Sequence, residues 1–76
     1  MKLGQEIKYA RLVKGIRQKY IADKLGLTAP AISFIECSKV FPTRLHLADI
    51  CDILDLDFDE MMGKLLSEKG IGERIY

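Results

Sequence analysis

Gln18, Thr28 and Ser33 are hydrogen-bonding side chains spread over a stretch that also carries Arg17, Lys19, Lys24, Lys39 and Arg44. Amides, hydroxyls and cations form hydrogen bonds and ion pairs rather than making or breaking covalent bonds. The inventory for bond-making chemistry is missing. His46 is the single histidine and reads as a surface residue of a helix, and there is no GxSxG, P-loop or HExxH pattern. The aspartates at 49, 52, 55, 57 and 59 suggest a calcium loop. Their spacing lacks the loop's glycine at the sixth position and its glutamate at the twelfth. Cys37 and Cys51 form no CxxC pair, and one histidine cannot complete a zinc set with them, so they read as two free thiols, with a structural disulfide the lesser alternative. The expectation is a binding protein with no catalytic residue, no cofactor and no metal.

What positions these residues has to be built from 76 residues, which is enough for one domain with a small core. A core of that size makes oligomerisation a reasonable expectation. No apolar run approaches the roughly 18–20 residues that span a bilayer, and the N-terminus lacks the apolar stretch of a signal peptide. The chain therefore reads as cytoplasmic, with no membrane partner. Its net charge of +1 hides a division. Residues 1–44 carry nine basic and three acidic side chains, a balance of +6, and residues 45–76 carry three basic and eight acidic, a balance of −5. A basic half turned to a polyanion and an acidic half turned away suits a small nucleic-acid binder.

Apolar spacing reads as helices throughout, with no period-two strand. Leu3, Ile7 and Ala10, with Val13 or Lys14, give a first helix over about residues 2–14, ended by Gly15. Ile16 packs inward from the loop. Arg17 to Leu25 form a second helix with Ile21, Ala22 and Leu25 inward, stopped by Gly26. Thr28 caps a third helix over about residues 29–37, with Pro30 in its first turn and Ile32 and Ile35 inward. Phe41-Pro42-Thr43 is a loop. A fourth helix covers about residues 44–54, with Leu47, Ile50, Cys51 and Leu54 on one face. Asp57 caps a fifth over about residues 58–66. The domain is then residues 1–66, and residues 67–76, with two glycines and alternating charge, read as a tail.

The stretch from Gln18 to Ile35 places a small residue, Ala22, where two helices cross, and Gly26 where a sharp turn needs positive φ. Leu27 closes that turn onto the core. Two short helices meeting across so short a turn are a helix-turn-helix. The sequence here resembles the lambda repressor and Cro type of helix-turn-helix domain, the XRE family, over about residues 3–61. Leu3-Gly4-Gln5-Glu6-Ile7, followed by Arg11, resembles its opening helix. Gln18 with Ile21-Ala22 is similar to its Q-x-x-L-A step, Leu25-Gly26-Leu27-Thr28 to its L-G-V-S turn, and Ile32-Ser33-Phe34-Ile35-Glu36 to its I-S-x-I-E recognition helix. Lys39, Pro42, Leu47, Ile50, Leu54, Leu56, Phe58 and Met61 keep the register of the closing helices.

The resemblance implies an all-α, five-helix lambda-repressor-like domain that binds double-stranded DNA, usually as a homodimer, and regulates transcription, most often as a repressor. Carried over by position, Gln18 and Thr28 contact phosphates. Ala29, Pro30 and Ser33 face bases with Phe34 beside them, and Lys39 and Arg44 face the backbone. Arg17, Lys19 and Lys24 add phosphate partners, whereas Glu36 stabilises the domain internally. Three departures stand out. The base-facing positions lack the usual amides and cations, which leaves Ala29, Pro30 and Phe34 to touch thymine methyls. Arg17 replaces a Ser or Thr cap, and Ser38 replaces a glycine. Leu45, Ile53, Leu65 and Leu66 exceed what the core requires, so a dimer surface on helix 5 with Leu45, Ile53, Met62 and Leu66 is expected, unless Ile71 or Ile75-Tyr76 folds back over it. The same family includes autoregulating antitoxins with a toxin partner, restriction–modification controllers and phage-type switches, and the sequence does not choose among them. The other reading is a protein-interaction module on the same fold, favoured by the uncharged third helix and the acidic C-terminal half.

Overall fold

Each of three helices begins on a side chain that accepts one of its own orphan backbone N–H groups. In the computed structural model, which describes residues 1–70, the elements are α1 (Leu3–Lys14), α2 (Gln18–Leu25), α3 (Ala29–Glu36), α4 (Arg44–Leu54) and α5 (Phe58–Lys69). Thr28 Oγ1 accepts from the Ala31 N–H at the start of α3, Thr43 Oγ1 from His46 in α4, and Asp57 Oδ1 from Glu60 in α5. Gly15 and Gly26 close α1 and α2 with φ near +70°, a conformation that costs glycine nothing. No strand occurs among the described residues, and no helix is long and apolar enough to cross a membrane.

The helices bury one cluster. Leu3 and Ile7 of α1, Ile21 and Ala22 of α2, Ile32 and Ile35 of α3, and Leu47, Ile50, Cys51 and Leu54 of α4 meet Met61 and Leu65 of α5. Ile16, Leu25 and Leu27 pack on its edge, as their spacing predicted. Burial, reinforced by the charge of Asp57, pushes the Cys51 thiol above its ordinary range, whereas Cys37 is exposed. The five-helix, all-α architecture expected from the sequence is the one observed.

Three expectations are corrected. Val13 is not part of the inward stripe of α1 but is 67% exposed. The stripe runs Leu3, Ile7, Arg11, so its fourth-residue step lands on a charged side chain. Leu65 is not surplus to the core, since it is 3% exposed and belongs to the main cluster. Finally, α5 continues to Lys69 and is capped by Gly70, instead of ending at Leu66. Its last turn has work to do against α1. Glu68 Oε2 accepts the Leu3 N–H at 2.6 Å, which satisfies an unpaired donor at the start of α1. One turn earlier, Lys64 pairs with Glu6 at 3.2 Å and donates to the Met1 carbonyl. The expectation that Ile71, Ile75 or Tyr76 covers an apolar patch lies outside the described residues.

The departure at Ser38 has a measurable consequence. Its φ is +62°, in the left-handed region that glycine adopts freely. Ser38→Gly is expected to raise stability by about 0.5–1 kcal/mol, the strain relieved being partly offset by the freer unfolded chain. A thermal melt checks this. A midpoint that fails to rise shows that the backbone here carries no net strain.

Candidate nucleic-acid interface

The site is built around a buried ion pair. Glu36, the one acid on α3, has a side chain only 1% exposed. Arg11 reaches it from α1 in a two-pronged contact, Nε to Oε2 at 2.6 Å and Nη2 to Oε1 at 3.1 Å. The remaining prong, Nη1, donates to the Ile16 carbonyl in the turn before α2 at 2.9 Å. Gln18, the first residue of α2, donates Nε2 to Glu36 Oε1 at 3.0 Å. One carboxylate thus fixes α1, the α1–α2 turn, the start of α2 and the end of α3. No buried side-chain polar atom among the described residues lacks a partner. Sequence spacing offered one signal for this network: Arg11 stands four residues after Ile7, on the apolar stripe.

This arrangement sets the direction of Gln18. An amide NH2 has two hydrogens, and Glu36 takes one, so the second remains for an acceptor outside the domain. Gln18 is half-buried, which keeps its amide from wandering. Arg17 precedes it as an exposed N-cap without a side-chain hydrogen bond to the helix. The first N–H groups of α2 therefore keep their positive end beside a guanidinium, an arrangement that favours an anion. Lys19 is exposed and pairs with Asp23 at 3.3 Å one turn on, a surface contact worth little that leaves the ammonium free to exchange partners. Lys24 lies 5.4 Å from the centre of the Tyr20 ring.

Gly26, Leu27 and Thr28 then turn the chain into α3, which packs directly on α2. Thr28 Oγ1 accepts from Ala31, and its hydroxyl hydrogen stays available to an outside oxygen. On α3 the buried residues are Ile32, Ile35 and Glu36. Pro30 is exposed, Ala29 and Ser33 are half-buried, and Phe34 is 48% exposed. Lys39 and Arg44 are both exposed, on either side of the Phe41-Pro42-Thr43 loop. Phe41 itself lies under the Lys69 ammonium, 5.4 Å from ring centre to nitrogen. The Gln18–Glu36 bond brings the basic start of α2 beside the end of α3, ahead of Lys39.

The apolar candidates for a partner surface lie on α4 and α5. Leu45 is 78% exposed at the start of α4, Leu66 is exposed on α5, and Met62 is half-buried there. Ile53 instead lines a shallow groove with Gly15, Ile16, Arg17 and Tyr20. No group of three or more possible metal ligands comes together among the described residues.

Comparison with known proteins gives a consistent result. The sequence pattern of a family described as helix-turn-helix matches residues 7–61. An uncharacterized HTH-type transcriptional regulator, YqaE, of Bacillus subtilis (strain 168) is 34% identical over 66 residues. That match covers 87% of this chain and 57% of the relative's length.

Proposed function

The chain belongs to the helix-turn-helix family, of the lambda repressor and Cro type, and we propose that it is a sequence-specific DNA-binding regulator of transcription. In this reading α3 lies in the major groove and the start of α2 holds the adjoining phosphates through Gln18, Arg17 and Lys19. Thr28, Lys39 and Arg44 hold further backbone oxygens, and Ala29, Pro30, Ser33 and Phe34 face the bases. Two copies joined through α5, Met62 and Leu66, with Leu45 and Ile53 contributing, would occupy half-sites about one DNA turn apart and repress by covering a promoter. The observation that carries the reading is the state of Glu36. The only acid of α3 is buried and matched by Arg11, so the outer surface of that helix offers phosphates no repulsion.

Binding of random duplex DNA, measured by fluorescence anisotropy across a salt series, tests this. Affinity is expected to fall steeply with salt, and Arg17→Ala or Lys39→Ala to reduce the slope by about one each. Tighter binding to the DNA upstream of the protein's own gene would support an autoregulated operator. A folded protein that binds neither DNA at low salt sinks the proposal. The second reading, a protein-interaction module, is favoured by Tyr9, Leu12 and Val13, which form an exposed apolar strip on the outer face of α1.

A further inference from the structure

The outward ridge of α3 is made almost entirely of carbon. Pro30, Ser33, Phe34 and Cys37 recur at i, i+3, i+4 and i+7, opposite buried Ile32 and Ile35. Between Ala29 and Glu36 there is no amide and no cation, so the two-pronged pairings that identify guanine or adenine edges are unavailable. The Ser33 hydroxyl both donates and accepts, and so tolerates several base edges. What distinguishes one base pair from another for such a surface is the single apolar group in the major groove, the C5 methyl of thymine. The C5 methyl of 5-methylcytosine occupies the same groove position.

We infer that α3 defines its site through C5-methyl groups on pyrimidines, with Phe34 and Pro30 as the contacting surfaces, so that 5-methylcytosine replaces a contacted thymine. The inference rests on the DNA-binding reading above. Exposure of Phe34 supports it: an aromatic ring standing half in water, on a helix whose other large apolar side chains are buried, gains from covering a methyl. The anchors needed to hold the ridge in the groove are polar and separate from it, at Gln18, Thr28 and the exposed cations.

The experiment uses the full chain. Duplexes bound from a random-sequence library are sequenced, and each thymine of the best duplex is replaced in turn by deoxyuridine, which removes only the methyl. Affinity is expected to fall about fourfold for each contacted methyl, the value of one buried carbon. At those positions 5-methylcytosine should keep the affinity and unmodified cytosine should lose it. In Phe34→Ala, a surface change whose folding is checked by circular dichroism, deoxyuridine should cease to matter at one or more of these positions. If every deoxyuridine duplex binds like the parent, or the library yields no preferred sequence while salt-sensitive binding persists, the methyl inference fails and DNA binding stands. If no duplex binds at low salt, the DNA-binding reading fails and takes the inference with it.

Discussion

Arg11→Met is expected to remove about 3–5 kcal/mol of stability, a large share of what a domain of this size has. The reason lies in what stays behind. Glu36 loses both prongs of its counterion and keeps only the Gln18 amide, in a place where its side chain is 1% exposed. Breaking one side of a buried pair costs about that much, because the remaining charge must be neutralised or the structure opened to water. A domain of 76 residues has a total of roughly 4–11 kcal/mol to lose. The Ile16 carbonyl also loses the donor that holds the turn before α2. Urea denaturation followed by circular dichroism measures the loss. The companion variant, Arg11→Met with Glu36→Leu, is expected to recover much of it, since a matched apolar pair has no charge to desolvate. Recovery stays incomplete because Gln18 is then without its partner. A single variant within about 1 kcal/mol of the parent would show that the pair is solvated more than its burial implies. A double variant no better than the single would show that the shape of Arg11, not its charge balance with Glu36, is what the fold needs.

That pair also marks the boundary of what could be read from the sequence. Local rules were sufficient for Thr28 and Asp57 as caps, for Gly15 and Gly26 as helix ends, and for Ile21, Ile32 and Ile50 as core. Each depends on residues within one turn of itself. The end of α5 did not follow from such rules. Ser67, Glu68 and Lys69 are polar and precede a glycine, which reads as a frayed tail until Glu68 is seen to accept from Leu3 at the far end of the chain. Leu65 looked surplus for the same reason, because the packing of α5 against α1 and α4 that goes with its burial appears only in three dimensions. Residue types at the candidate interface were legible, since Gln18, Thr28 and the cations follow a recognisable register. The second duty of Gln18 was not. Its bond to Glu36 joins positions 18 residues apart through the packing of α2 on α3. That bond converts a generic polar side chain into one whose free N–H has a direction.

Gly4 gives the other large effect expected. It sits in the first turn of α1, where alanine is ordinarily better by about 1 kcal/mol. An added Cβ would nevertheless run into the Ile35 carbonyl oxygen, while standing 2.8 Å from that of Glu36 and 2.9 Å from Ser38 Oγ. Two of these three atoms are backbone at the end of α3, so the clash cannot be relieved by a rotamer change. Either α1 lifts from α3, or the end of α3 unwinds. Lifting α1 would draw Leu3 from the core and lengthen the Arg11–Glu36 contacts, so the cost spreads into the network that aims Gln18. Overpacking of this kind outweighs the propensity gain, and Gly4→Ala is expected to lose about 2–3 kcal/mol net, with Gly4→Val failing to fold. The readout is again a denaturation curve, with the DNA salt series run on whatever fraction remains folded. Equal or higher stability in the alanine variant would mean that α1 rides over α3 at little cost, and that its approach is not what holds the end of α3 in place. A loss of stability together with a weakened salt slope would tie this close approach to the phosphate contact proposed for Gln18.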